Sequence, residues 1–290
     1  NSPDSNETNV SSTKVVKGLP VRGGSNAPSG LFWSLDSLIR VSYTPTTVTT
    51  GTTSSTFYWR YDIITSQSSI LSSQSVIEYD GIYYWIGVDR FLLYNGTVKE
   101  LTNNFNQNYF FDNLNYAQRQ KVYATKVPRF GEIWWFYPSS ASNENDSYVT
   151  FNYRENHWNI GTMARLAGVD AGVFTYPLMV SSTGYIYEHE VGFDYGSASV
   201  YAESGPIQLG NGDNVMSVSE LIPDEQTLGE VVVSFKARNY PTGAQSTYGP
   251  YTAANPTDVR FTARQVNIKV TGDTLADWRV GVMRLDAKPS

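Results

Sequence analysis

A turn glycine followed by an aromatic-rich run recurs along this chain at intervals of about 50 residues. The fullest copy extends from Val122 to Trp158. It contains three β-rich runs, separated by a Pro-Arg-Phe-Gly turn and by a polar Ser- and Asn-rich loop. In the third run, polar and apolar side chains alternate with the period of two that is typical of a half-buried strand. This stretch is therefore predicted to form one antiparallel, blade-like sheet.

Three further copies carry the same pattern. The turn glycine of the fullest copy is Gly131, and the other copies have Gly30, Gly81 and Gly184 in its place. This spacing is within the range of β-propeller blades. A single sheet of this kind leaves an apolar face uncovered, so the copies are expected to stack. The sequence predicts an all-β fold of β-propeller-like, repeated antiparallel blades.

Composition is consistent with a β fold held together by aromatic packing. Aromatic residues make up 14% of the chain and charged residues only 17%. Tyr and Trp bury a large area while keeping one polar atom for hydrogen bonding, which suits sheets and interfaces. Cysteine is absent, which leaves neither disulfides nor thiolate metal ligands. The sequence contains no apolar run long enough for a membrane span, so none is predicted.

Changes in composition divide the chain into three parts. Residues 1–13 are polar and are predicted to be a disordered tail or linker. Residues 14–195 contain the four repeat copies and are predicted to form the blades. In residues 196–290 Trp nearly disappears and the strands become rich in Val. This part is predicted to be a C-terminal β module, either sandwich-like or the final blades of the propeller.

Three local segments carry their own predictions. The Thr/Ser/Gly-rich stretch Thr44–Thr56 is typical of a long hairpin loop. One short helix is expected within Asn113–Lys121, packed against a blade by Leu114 and Tyr116. The small residues of 161–176 indicate an extended crossing loop.

The two histidines do not have metal-site spacing. His157 and His189 are isolated from one another, with no His-x-x-x-His pattern. In the sequence Glu188-His189-Glu190, strand alternation places the two carboxylates on one face and the imidazole on the other. The segment is predicted to be an ordinary exposed strand, and neither a metal nor another cofactor is expected.

Carboxylates beside the repeat turns raise a catalytic alternative. Asp80, Asp89, Glu132 and Glu188 all lie near these turns, where they can gather at one mouth of a propeller. Glycosidases use paired Asp and Glu side chains, and exposed Trp or Tyr can stack on sugars. Asp at a turn usually bonds local backbone instead. The turn interpretation is favoured, and glycan binding or cleavage stays open beside it.

Several stretches resemble structural proteins of tailed bacteriophages. They are residues 30–43, 76–96, 131–138, 264–273 and 277–286. The last two together are similar to the C-terminal signature of short-tailed phage tail tube, nozzle and packaged-DNA-stabilisation proteins, whose relatives are β-propellers. The resemblance implies a non-enzymatic virion component, assembled in the host cytoplasm into a homo-oligomeric tail or neck ring around the DNA exit channel. The alternative is a tail-tip propeller that binds or cleaves receptor glycans.

The charge balance bears on both DNA and protein partners. With 27 acidic and 21 basic residues and a net charge of −6, the chain is unlike a nucleic-acid binder that grips phosphate. An acidic or neutral lining lets DNA slide past without specific binding. The basic side chains of the C-terminal module are predicted to contact other tail or neck proteins, and the alternative is a solvated face. They are Arg260, Arg264, Lys269, Arg279 and Arg284.

Four copies are few for a closed propeller, which typically has four to eight blades. Further blades are therefore expected from a preceding part of the reading frame, or from a separate N-terminal fragment that stays bound.

Overall fold

The computed structural model describes residues 9–290 except 12, 22–27, 103–106, 171, 196–198, 210, 225–226, 254–255 and 273–276. The described chain is nearly all β, with its strands in six antiparallel sheets. It forms two compact units, Asn1–Glu190 and Val191–Ser290. No helix in the described segments is both long and apolar enough to cross a membrane.

The first unit contains four sheets, each a meander in which consecutive strands pair. The first blade consists of β1 (Val15–Pro20), β2 (Ser29–Ser34), β3 (Leu38–Thr50) and β4 (Thr53–Thr65). The second consists of β5 (Ile77–Tyr79), β6 (Ile82–Ile86), β7 (Phe91–Tyr94) and β8 (Val98–Glu100). The third consists of β9 (Tyr123–Val127), β10 (Glu132–Tyr137), β11 (Ser147–Asn152) and β12 (His157–Thr162). The fourth has three strands, β13 (Arg165–Val169), β14 (Leu178–Ser181) and β15 (Ile186–Glu188).

The blades pack face to face in chain order. On β10, Trp135 and Tyr137 belong to a core shared with Ile86 of the second blade. Phe136, which points the other way, belongs to a core shared with Met179 of the fourth blade. The first and second blades share a further core. Alternate residues of a strand thus bury opposite faces of the same blade.

The first strands of three successive blades meet. The Ala124 N–H of β9 donates to the Gln74 carbonyl, just before β5, at 2.8 Å. Lys126 Nζ donates to the Glu78 carbonyl at 2.9 Å and lies 3.5 Å from Asp170 Oδ2, just after β13. β9 therefore lies between β5 and β13, as neighbouring inner strands do near a propeller axis.

The repeated-blade prediction is confirmed, with one displacement. Gly81 and Gly131 occupy the turns between the first and second strands of their blades, with φ of +76° and +75°. Gly184, with φ of +84°, precedes β15, the third strand of its blade. The fourth copy of the pattern is therefore displaced by one strand. Gly30 lies inside β2, so the turn predicted at this glycine is wrong.

The predicted loop at Thr44–Thr56 is instead a two-stranded ribbon. β3 and β4 continue through it and leave only a tight turn at Gly51. β-branched Thr favours the extended backbone. Hydroxyl pairs also bridge the two strands, from Thr47 to Thr56 at 3.0 Å and from Thr49 to Ser54 at 2.9 Å.

The helix prediction is partly confirmed. An α-helix, α1 (Gln107–Asn113), comes earlier than expected, and a 3₁₀ helix follows at Tyr116–Lys121. Leu114 is buried against the core, as predicted. Tyr116 is 44% exposed, so its predicted packing is wrong.

Two predicted irregular segments contain ordered structure. The crossing loop expected at 161–176 includes strand β13. Within the predicted tail, residues 1–8 and 12 lie outside the described chain. The Thr13 hydroxyl donates to Asp36 Oδ1 at 2.6 Å, and this bond ties the end of the segment to the first blade.

The second unit contains two sheets. Its strands are β16 (Tyr201–Glu203), β17 (Met216–Pro223), β18 (Val232–Arg238), β19 (Ser246–Thr252), β20 (Thr257–Ala263), β21 (Gln265–Thr271) and β22 (Met283–Pro289). One sheet has the order β16-β21-β18-β19 and the other β20-β17-β22. Val218 and Phe261 of one sheet share a single core with Val233 and Phe235 of the other, an arrangement of the sandwich type.

Replacing Trp135 tests the packing between blades. Its side chain is fully buried, its indole N–H donates to the Ser75 carbonyl at 2.9 Å, and its ring lies 5.4 Å from that of Phe91. Trp135→Ala is expected to lower the free energy of unfolding by about 3–5 kcal/mol. Trp135→Phe keeps most of the ring and should cost about 1–2 kcal/mol. Urea denaturation measures the free energy of unfolding of both variants. Equal losses in the two variants would contradict a role for the Trp135 ring in packing between the blades.

Candidate functional site

The carboxylates beside the repeat turns do not gather in one place. Asp80 lies in the turn between β5 and β6, and Asp89 lies in the turn between β6 and β7. The two are therefore at opposite ends of β6. Arg90 hydrogen-bonds the Asp89 carboxylate, at 2.7 Å from Nη2 to Oδ2, and holds the pKa of that carboxyl below its usual range. These two residues do not share a site.

Glu132 and Glu188 differ in environment. Glu132 begins β10, where its Oε2 accepts the Trp134 indole N–H at 2.9 Å. Glu188 ends β15 and is exposed. A further carboxyl, Glu190, was not among the predicted site residues, and it is the one that Glu132 influences.

Glu190 is half-buried, and its pKa is raised. Burial is the main cause and the negative charge of Glu132 adds to it, while the positive charge of Arg129 acts in the opposite direction. Glu190 has a φ of +64°, in the left-handed region that is uncommon for residues other than glycine.

A cavity of about 240 Å³ lies beside Glu190. We call it the Glu190 crevice. It is lined by Val127, Pro128, Arg129, Thr175, Tyr176, Pro177 and Glu190. A carboxyl whose pKa is raised by burial and that lies in a crevice is a candidate proton donor. The Glu190 crevice is therefore the candidate site of the first unit.

His189 is not the exposed strand residue that alternation predicted. It lies just after β15, half-buried, and its Nε2 accepts from Arg165 Nε at 2.8 Å. Burial and the Arg165 charge lower the pKa of the imidazole to about 4. The Arg165 guanidinium also lies 4.7 Å from the centre of the Tyr187 ring. His189 is thus a neutral acceptor that holds Arg165 in place. His157, on β12, is exposed.

Within the described segments, no three His, Asp or Glu side chains converge in a way that suits a metal ion.

The five basic residues of the second unit do not form one patch. Arg260 on β20 and Arg284 on β22 alternate with core residues, so both lie on the outer face of the three-stranded sheet. Lys269 lies on the outer face of the other sheet, with its Nζ 4.1 Å from the centre of the Tyr201 ring. Arg264 and Arg279 make local contacts instead.

Both local contacts are made within the second unit. Arg264 Nη1 donates to the carbonyls of Gly212 and Asp213. The Arg279 backbone forms a β-bridge with Leu228.

Comparison with known proteins gives distant structural likenesses only. No protein-family model matches the sequence, and no curated protein matches it. Among solved structures, an exo-β-1,3-galactanase from Phanerochaete chrysosporium with galactose is 10% identical, with a TM-score of 0.30. The match covers 90% of this chain and 78% of that one. A variant of that enzyme with β-1,3-galactotriose gives the same identity and coverage, with a TM-score of 0.29. Neither likeness carries an argument about the activity of this chain.

The pKa of His189 predicts acid sensitivity. The imidazole has a pKa of about 4 in the folded chain, against an ordinary value of 6.5. Between these values the unfolded chain binds more protons, so stability falls as pH decreases. From pH 7 to about pH 4.5, wild type is expected to lose about 2 kcal/mol more than His189→Gln, after discounting for partial solvent screening. Urea denaturation at the two pH values measures this. His157→Gln is the control, and it should behave like wild type.

Charge reversal separates a partner contact from a local structural role. Arg284→Glu changes an exposed side chain and should leave the stability of the chain nearly unchanged. Arg264→Glu removes the bonds to the Gly212 and Asp213 carbonyls and is expected to cost about 1–2 kcal/mol. If Arg284→Glu weakens assembly while its unfolding midpoint stays the same, Arg284 lies at a partner interface. If assembly is unchanged, Arg284 lies on a solvated face.

Proposed function

We propose that this chain is a non-enzymatic structural subunit of a tailed-phage virion, part of an oligomeric tail or neck ring around the DNA exit channel. The observation that carries the proposal is the exposure of both ends of the row of blades. At one end Phe57 and Ile63 are 50% and 53% exposed, and at the other Tyr185 and Ile186 are 69% and 68% exposed. Exposed groups of large apolar side chains mark protein–protein contacts.

Two properties of the sequence support this proposal. The stretches that resemble tailed-phage structural proteins lie in both units, so the resemblance does not depend on one local motif. The net charge of −6 suits a channel wall, because an acidic surface has few cations with which to hold DNA phosphates.

The Glu190 crevice supports a second candidate function, glycan recognition or cleavage at a tail tip. Glycoside hydrolysis uses a pair of carboxyls, and Glu190, whose pKa is raised by burial and by the charge of Glu132, forms such a pair with Glu132. Tyr176 gives the crevice an aromatic side chain on which a sugar ring can stack. In this candidate the exposed aromatics serve ligand binding, and the chain acts without a ring of copies.

One set of assays on the purified chain separates the two functions. The ring proposal predicts an oligomer in native mass spectrometry, presence of the chain in purified virions, and no signal in a glycan array or a reducing-sugar assay. The glycan candidate predicts sugar binding or release. If Glu190 is catalytic, Glu190→Gln should also slow sugar release by about 100-fold or more while the fold stays intact. A monomer that is absent from virions contradicts the ring proposal.

A further inference from the structure

We propose that the β3–β4 hairpin of one copy packs its apolar face against the fourth blade of a second copy, so that the row of blades continues from copy to copy. This inference rests on the proposed function, in which the chain is a subunit of a ring. It adds the two surfaces that meet and the kind of symmetry that their contact produces.

The hairpin has one apolar face and one polar face. The apolar face, here called the hairpin face, consists of Val41, Val48, Phe57, Trp59, Tyr61 and Ile63. These residues share a side because β4 alternates and because Val41 pairs with Tyr61 and Val48 with Ser55. The opposite side of the ribbon carries the hydroxyl pairs of Thr47 with Thr56 and of Thr49 with Ser54. Only the hairpin face gains by leaving water.

The hairpin face continues into a groove at the base of the blade. The groove has a volume of about 600 Å³, and its walls include Val15, Phe32, Val41, Trp59 and Tyr61. The chain's own N-terminal segment lines it as well, through Asn9, Val10, Ser11 and Thr13. Val15 is 48% exposed. An apolar surface therefore extends from the tip of the ribbon to the body of the first blade.

The outer half of β4 has little protection against pairing with another chain. Along this edge strand of 13 residues, residues 53–59 carry no charge, and Arg60 and Asp62 follow them. Pro45 and the register shift between Tyr43 and Thr46 interrupt β3, on the other edge of the ribbon. Edge strands are usually protected by charges, proline or bulges. A two-stranded ribbon is also marginally stable alone in water. We infer that the ribbon is stabilised by a partner.

The fourth blade offers a matching surface at the other end of the row. It has three strands where the other blades have four, and within the described chain no strand pairs with the outer edge of β15. Tyr185, Ile186 and Tyr187 at this edge are 69%, 68% and 44% exposed. The hairpin face of a second copy would cover these exposed side chains.

The charges of the two ends are complementary. Segment 14–65, which contains the first blade, has five basic and two acidic side chains, a net charge of +3. Segment 165–190, which contains the fourth blade, has one basic and three acidic side chains, a net charge of −2. Arg40, Arg60 and Asp62 lie on the hydroxyl side of the ribbon, so these charges act over distance. They speed the encounter and disfavour the approach of two identical ends.

The hairpin face is large enough for a specific contact. Strands of 13 residues are about 43 Å long, and two to four strands are about 10–15 Å wide. The face therefore offers roughly 600 Å², close to the ~800 Å² per partner of a standard interface. Because two different surfaces meet, the contact is head-to-tail, and repeating it gives a closed ring or a filament.

Cross-linking tests which surfaces meet, because the chain has no cysteine of its own. Phe57→Cys and Ile186→Cys are made separately, mixed, and oxidised. The mixture is expected to give disulfide-linked dimers, and each variant alone is expected to give none. Thr56→Cys, on the hydroxyl side of the same strand, is the matched control and should cross-link to Ile186→Cys at least about tenfold less. Cross-linking of Phe57→Cys with itself, or no cross-link in the mixture, overturns the proposal.

A lysine substitution separates this inference from the proposed function. Phe57→Lys is expected to raise the dissociation constant of the oligomer at least about tenfold in sedimentation experiments, whereas Thr56→Lys leaves it unchanged. If wild type is an oligomer and Phe57→Lys assembles equally well, the inference fails and the ring proposal stands. If the hairpin face is instead covered by a bound fragment or a preceding segment of the same protein, the mixture gives no cross-link and the inference also fails. If the wild-type chain is a monomer, both the hairpin inference and the ring proposal are contradicted.

Discussion

The first unit depends on blades that bury both of their faces at once. A strand gives alternate side chains to opposite sides, and β10 has large aromatics on both: Trp135 and Tyr137 face the second blade, while Trp134 and Phe136 face the fourth. Each inner blade is thus stabilised by two neighbours. A blade at the end of such a row has only one neighbour, and its outer face stays exposed unless something else covers it. The exposed ends of the row follow from the same alternation that builds its interior.

The features of the fold that depend on local periodicity were predictable from the sequence. The second and third blades begin their second strands where Gly81 and Gly131 predicted, because a tight hairpin needs a positive φ there. The same signal failed at Gly184, since a turn glycine shows that two strands are joined but not which two. The stretch Thr44–Thr56 failed for a different reason. Its composition suits a loop, but Thr is also a strand former, and pairing between β3 and β4 continues through the stretch.

The candidate site was less predictable because it depends on contacts between distant residues. Successive turns of a meander alternate between its two ends, so the separation of Asp80 and Asp89 follows from strand order alone and was open to prediction. Glu190 is different. Its pKa reflects burial and the charge of Glu132 on the neighbouring blade, and no local pattern marks either. His189 likewise owes its neutral state to burial and to Arg165 on β13.

The two proposed roles of the fourth blade are physically linked. The Glu190 crevice lies next to β15, a strand of the blade against which the hairpin of a second copy is proposed to pack. Covering that edge removes water from a carboxyl whose pKa burial already raises. A carboxyl losing water is more easily protonated unless it gains a cationic neighbour, and residues 41–59 of the hairpin carry no charge. Assembly would therefore raise the pKa of Glu190 further. The covered edge would also close the crevice to a sugar, so assembly and sugar chemistry compete for one surface.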